Sequence, residues 1–291
     1  MGRALLEHAY QAAIRRVDPE LILHDQLRLE QNALVATDAA GLETRIPLDG
    51  YDRVRVLGVG KAAASMARGV EQVLGDRLEG GVVVTKHGHA APLDRVELLE
   101  ASHPVPDETC VIAAERLLAE CGAADERTLV VSVISGGGSA LLVAPLHATE
   151  WRINLEDQRA VTSALLASGA TIHELNCVRK HLSAIKGGRL ALAIAPATSL
   201  NLILSDVVGD RLDTIASGLT VPDSTTFEDA LAILDRHTTE GHRIPSAALK
   251  LLQAGTRGEV EESPGADHPA FNRVHNVLVG SGLAATRAAS N

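Results

Sequence analysis

The chain has 291 residues, with 27 lysines and arginines against 37 aspartates and glutamates, a formal net charge of −10 and a pI near 5.6. At roughly 150 residues per domain, that length allows one large or two small domains with a real core and speaks against disorder. Aromatic residues make up 2% beside 46% hydrophobic residues, so the core must be aliphatic and aromatic base-stacking platforms are excluded. The acidic balance also argues against nucleic acid and anionic membrane as partners, and any anionic substrate must be held by local cations.

The first fifty residues carry helical spacing, with Leu5, Ala9, Ala12 and Ala13 on one stripe and a second helix expected over Pro19 to Leu29. Short β-branched runs then predict strands at 54–59, 82–85, 96–99, 129–134, 200–204 and 277–280. Helices are expected at 61–74, 108–121, 155–168, 172–185, 227–236 and 246–252. This alternation predicts an α/β fold of three α/β/α layers, a Rossmann-like, mostly parallel sheet with helices on both faces. Ligands of such sheets collect at the carboxyl ends of strands. Thr128 to Thr149 contains no charged residue, but Gly136-Gly137-Gly138, three serines and Pro145 interrupt it. It reads as a buried strand, a glycine turn and a short helix rather than a membrane span.

Gly255 to Pro269 looks like a linker, and Val277-Leu278-Val279-Gly280-Ser281-Gly282 like the start of another βα unit. The expected division is an α/β domain over 1–255, then a linker and a truncated further βα unit over 256–291. Cys110, Cys121 and Cys177 form no CxxC pair and read as packing residues in a reducing compartment. Met1 to His8 lacks a secretory pattern, so the cytoplasm is the expected location.

Four stretches could carry chemistry. Gly58-Val59-Gly60-Lys61-Ala62-Ala63 joins a strand to a helix and fits the G-x-G-x-x-G/A pattern of dinucleotide sites. That pattern wants an acid after the next strand to hold a ribose, and here Val84-Thr85-Lys86-His87 follows. Lys61 beside free backbone N–H groups suits an anion instead, the alternative being glycines that merely permit tight packing. Ser135-Gly136-Gly137-Gly138-Ser139 could form a nest of N–H groups for phosphate oxygens, or a plain connector. No Walker A motif and no G-x-S-x-G elbow occurs.

Arg179, Lys180, His181, Lys186 and Arg189 form a cationic stretch without an acid. Read as one helix ended by Gly187-Gly188, it puts Arg179 and Lys186 on one face, as an anion site or as a solvated face. Finally, Ser205-Asp206-Val207-Val208-Gly209-Asp210 follows a strand. Its carboxylates could hold Mg²⁺, accept a hydroxyl proton or cap turns. Ser217 to Asp223 could border the same cleft, and His87-Gly88-His89 lacks a third ligand for a zinc site.

In order and spacing, Gly58 to Ala63, Ser135 to Leu141, Asn176 to Ser183 with Lys186-Gly187-Gly188-Arg189-Leu190, and Ser205 to Asp210 resemble the glycerate 2-kinase family. The resemblance covers most of the chain and is most specific at Lys-Gly-Gly-Arg. It implies ATP-dependent phosphorylation of D-glycerate to 2-phosphoglycerate with Mg²⁺, in a cleft between two α/β domains. The family's smaller C-terminal domain is not contained in this sequence, so a truncated, inactive remnant is one alternative. An NAD(P)H-dependent hydroxypyruvate reductase is another, because family members sometimes carry that label. Leu219 stands where the family pattern usually has proline.

Under this resemblance Lys61, Asp206 and Asp210 are the catalytic candidates, the two aspartates also for Mg²⁺. Gly58, Gly60, Ser135, Gly136, Gly137, Gly138 and Ser139 would hold the nucleotide phosphates. Arg179, Lys186 or Arg189 would bind the acid's carboxylate. The implied partners are the small acid and, at most, a second copy of the chain in a homodimer.

Overall fold

The computed structural model describes residues 2–148, 150–237 and 244–290, which leaves Thr149, the last residue of the uncharged run, outside. It opens with α1 (Gly2–Arg16) and α2 (Leu21–Gln26). Three short antiparallel strands follow, β1 (Leu27–Glu30), β2 (Ala33–Thr37) and β3 (Glu43–Pro47), in the order β1-β2-β3. The helix expected over 19–29 therefore stops at Gln26. Gln31 and Asn32, with φ of 48° and 57°, make the two-residue left-handed turn that favours a hairpin.

The main sheet uses β4 (Arg53–Val59), β5 (Leu78–Lys86), β6 (Val96–Ala101), β7 (Thr128–Ser135), β10 (Thr198–Leu204) and β11 (Val274–Gly280). Among the described residues it is six-stranded and wholly parallel, ordered β11-β10-β7-β4-β5-β6. All six strands expected from the sequence are present. Every residue of β7 is buried, as a central strand of a doubly covered sheet requires. The chain runs outward from β4 to β6, then returns to place β7 on the other side of β4. That reversal makes a crevice above β4 and β7, where ligands of open parallel sheets bind.

α3 (Ala63–Leu74) covers one face, with α2 and the small sheet, over Val56, Val131, Leu200 and Val277. α4 (Glu108–Gly122), α5 (Gly138–Leu141) and α8 (Arg189–Ile194) cover the other, over Leu57, Val130 and Ile203. This is the expected three-layer α/β/α arrangement. The three cysteines are buried, as read, Cys110 and Cys121 in the second of these cores and Cys177 in a third.

A third apolar cluster lies in a helical lobe. It is built from α6 (Leu155–Ala167) and α7 (Ile172–His181), each with a capping box, and from α9 (Phe227–His237) and α10 (Ser246–Thr256), with the minimal ribbon of β8 (His147–Ala148) and β9 (Trp151–Arg152) beside them. The helix expected over 172–185 ends at His181, so Lys186 is not on the helix of Arg179. Gly187 and Gly188, with φ of 59° and 82°, do not close that helix but open α8. Their N–H groups donate to Ser217 O and Gly218 O, which explains the glycine pair: left-handed backbone is needed to dock one turn on the other.

The segment expected as a free linker is instead a strap. Arg189, itself buried, donates to Glu261 O and Ser263 Oγ, and the fully buried His181 ring lies 2.9 Å from Glu262. Beyond the strap, β11 pairs with β10, so residues 256–291 add the outer strand of the same sheet, followed by α11 (Gly282–Ser290) packed on α1. The boundary at 255 thus separates no two sheets.

Burial lowers the pKa of His181, but its bonds to Cys177 O and Glu262 outweigh this and raise it to about 9. A histidine raised in the folded state stabilises fully below its unfolded pKa of about 6.5 and loses that contribution as pH rises through the folded value. Urea denaturation should therefore show His181→Gln costing at most about 3 kcal/mol at pH 6. The difference from wild type should shrink between pH 6.5 and 9.

Candidate functional site

At the crevice, the turns after β4 and β7 lie in van der Waals contact. Gly60 faces Ser135 so closely that a Cβ there would stand 2.6 Å from the Ser135 carbonyl oxygen. Lys61 N donates to Gly136 O at 2.9 Å, and Ala62 N to Ser135 Oγ at 3.1 Å. Thr85 Oγ1, near the end of β5, donates to Gly60 O. Gly58 packs under the turn between Val83 and Val133, a close-approach position rather than a ligand contact.

The turn after β10 closes the site from the other side. Asp206 lies against Gly136, where a Cβ would come within 1.9 Å of its Oδ2, and Lys61 Nζ stands 3.6 Å from that oxygen. Both side chains are about half exposed, at 41% and 56%, so the pair is a weak surface-type bridge that a ligand can divide. Gly137 has φ of 88°, and the His103 ring lies beside it. Burial first, and then the charges of Lys61 and Lys86, hold the His103 pKa below its ordinary value.

Ser139 Oγ shares a hydrogen bond of 2.6 Å with Ser217 Oγ, which donates to Asn176 Oδ1, and Arg179 donates to Ser139 O at 2.8 Å. Ala216, Ser217 and Gly218 carry φ of 50°, 60° and 65°, a run of left-handed backbone of the kind retained at functional sites. A polar cavity of about 370 Å³ is lined by Gly137, Ser139, Asn176, Arg179, Asp206 and Arg211, among others. It brings together residues of three of the four sequence stretches, and the first reaches it through the bridge of Lys61 to Asp206.

The cationic stretch divides. Lys180 is buried against Asp223 at 3.2 Å, and His181 and Arg189 serve the strap; among the described residues none of the three lines a cavity at the crevice. Asp223, read as bordering the cleft, is likewise spent on Lys180. Arg179 and Lys186 remain. Burial lowers the pKa of Arg179 to about 10, and burial together with the Arg179 charge pushes Lys186 well below its ordinary value. Asp210 lies apart, with φ of 51°, in a cavity of about 670 Å³ that also touches Asp206 and the start of α11. No cluster of three or more metal-ligating side chains occurs among the described residues. Their helices include none long and apolar enough to cross a membrane.

Sequence reasoning missed His103 and Arg211. His103 follows β6 as Lys61 follows β4, so the rule about strand carboxyl ends could have found it; Arg211, beyond Asp210, is brought in by the chain's bend and gave no such signal.

A family model described as a domain of unknown function, DUF4147, matches residues 5–253. The chain belongs to this family. It is 42% identical to the glycerate 2-kinase of Pyrococcus horikoshii over 93% of this chain and 59% of that protein. It is also 45% identical to a putative hydroxypyruvate reductase of Agrobacterium vitis, over 87% of this chain and 52% of the relative. The crystal structure of a glycerate kinase (EC 2.7.1.31) from Thermotoga maritima superposes with a TM-score of 0.78 at 36% identity, over 99% of this chain and 61% of that one. The chain thus spans between half and two thirds of the length of these relatives.

The two glycine contacts differ in what must yield. At Gly60, with φ of 131°, a methyl group meets backbone, whereas at Gly136 it meets the end of an exposed carboxylate. Urea denaturation should show Gly60→Ala costing about 2–4 kcal/mol and Gly136→Ala less than about 1 kcal/mol. In the latter the side chain of Asp206 simply moves aside.

Proposed function

We propose that the site transfers the γ-phosphoryl group of ATP to a hydroxyl of a small hydroxy acid, D-glycerate, giving 2-phosphoglycerate and ADP. The observation that carries this reading is Lys61 Nζ standing 3.6 Å from Asp206 over two interlocked glycine turns at the sheet's crevice. The glycerate kinase names of the relatives support it.

The acceptor oxygen attacks the γ-phosphorus in line while the bond to the β–γ bridging oxygen breaks, leaving ADP. Lys61 neutralises charge on the transferred group, and the Gly136 to Ser139 turn holds its oxygens, so catalysis is positional and electrostatic. His103, neutral near pH 7 because burial and Lys61 disfavour its charged form, takes the hydroxyl proton. Arg211 lines the polar cavity and is the cation offered to the acid's carboxylate. Arg189, held by the strap, is not used.

Mg²⁺ is commonly held by one or two carboxylates plus substrate phosphates, and the single exposed Asp206 beside the nest fits that demand. When bound, the ion would screen charge between phosphate oxygens. A nicotinamide reading is disfavoured by Lys86 at the end of β5, where a ribose-binding acid would be needed.

Purified chain given ATP, Mg²⁺ and D-glycerate should release ADP. Lys61→Met should lower turnover at least about 100-fold with an unchanged melting temperature, a loss of about 2.7 kcal/mol of transition-state stabilisation. Oxidation of NADH with hydroxypyruvate and no ADP release would establish the reductase instead.

The pH profile tests His103. Its neutral form is the active one, so turnover should fall as pH drops through its lowered pKa, below 6.5. In His103→Gln that acid limb should vanish and the plateau should drop about 10–100-fold, as removal of a general base does.

A further inference from the structure

Behind the polar cavity lies a second, larger one of about 440 Å³, within the roughly 300–1,000 Å³ of small-molecule sites. Its walls include Pro104, Val105, Val143, Leu155, Leu166 and Leu175, with Gln158 and Thr162 between them. At its inner end stand Arg179 and Lys186. Ser139 and Arg179 belong to both cavities, so the two share one wall.

Charge makes this cavity more than a packing gap. Lys186 is 3% exposed and its ammonium donates to Leu142 O, with no carboxylate partner among the described residues. Arg179 likewise has no carboxylate partner among them; with five N–H donors, it donates to Ser139 O. Lys186 is buried and Arg179 half-buried, and two such cations without counter-charge repel each other and cost free energy. Elsewhere in this lobe the equivalent cost is met, as at Lys180 with Asp223 and His181 with Glu262. The missing partner here is an anion brought from outside.

That anion must continue into an apolar body, because most of the cavity wall is aliphatic. A three-carbon acid has no such body, whereas a nucleotide does. We propose that the aliphatic cavity is the nucleoside pocket of the phosphate donor, with the base between the Pro104–Val105 loop and α6 and α7. Resting on the kinase reading, this places the α-phosphate beside Arg179 and Lys186, and the remaining phosphates past Ser139 on the glycine nest. The amide of Gln158 donates to Leu182 O, leaving its carbonyl oxygen to accept from an exocyclic amino group. In a chain with 2% aromatic residues, aliphatic side chains and Pro104 replace the stacking ring.

Binding separates this pocket from the reaction itself. Calorimetric titration of the whole chain with ADP, adenosine and inorganic pyrophosphate should show three patterns. Thr162→Trp, which fills the pocket, should weaken ADP and adenosine at least tenfold and leave pyrophosphate within twofold. Lys61→Met should do the reverse, weakening pyrophosphate and ADP while adenosine is unmoved. Lys186→Met should weaken ADP more than adenosine. Leu166→Trp, at the exposed rim, repeats the first test should Thr162→Trp lower the melting temperature. ADP bound as tightly by both tryptophan variants as by wild type would overturn the assignment, even for a chain that phosphorylates D-glycerate. A chain that binds adenosine in the Thr162-dependent manner yet releases no ADP would retain the pocket and refute the kinase.

Discussion

The structure depends on one close approach, that of the turns after β4 and β7. Parallel strands side by side carry their carboxyl-end turns about 4.8 Å apart, too near for side chains on both. At Gly60 a methyl group would run into Ser135 backbone, and at Gly136 it is admitted only if the Asp206 carboxylate moves aside. Because they are glycine, backbone groups of one turn bond to the other, and the side chains that remain, Lys61 and Asp206, are turned outward into solvent. Gly137 leaves room for His103 in the same way. The chemistry of the site is thus a by-product of how tightly two loops must pack at the sheet's reversal.

The helical lobe supplies a second constraint, the placement of cations in an acidic molecule. A net charge of −10 disfavours anionic ligands at long range, and screening confines attraction to within about 8–10 Å. Near the Ser135 to Ser139 turn the chain keeps Lys186 buried and Arg179 half-buried. Of the cationic stretch, Lys180 and His181 are matched by carboxylates, while Arg189 donates to the carbonyls of Lys180 and Glu261 and to Ser263 Oγ. These three fix the lobe. Arg179 and Lys186 are left without a carboxylate partner among the described residues, and their separation from the other three is achieved by ending α7 at His181 and turning at Gly187-Gly188.

The six sheet strands were legible because a doubly covered parallel strand is written as an uninterrupted β-branched run, as in Leu129 to Ile134. The glycine turns were legible for the related reason that each follows such a run. The hairpin of β1 and β2 was not, since Arg28 and Glu30 alternate with leucines in a segment only four residues long, a pattern equally readable as helix. Nor was the break after His181, which depends on Gly187 and Gly188 finding carbonyl partners thirty residues away at Ser217 and Gly218. Local sequence shows that a glycine pair is present, but only the tertiary partner decides whether it ends one helix or begins the next.

The strap carries the same lesson into function. Glycine, glutamate and proline at 255–269 have the composition of a mobile connector, and composition alone would leave Arg189 free to meet a substrate. Yet the Glu261 carbonyl and the Glu262 carboxylate occupy the charges that would otherwise compete for an anion entering the crevice. By holding Arg189 and His181 away, the strap leaves Arg179 and Lys186 as the members of the cationic stretch that share a cavity with Ser139 of the glycine turn, where the proposed ligand would meet them. Selectivity for one anion position over several comes here from protein acceptors covering the wrong cations, as much as from exposing the right ones.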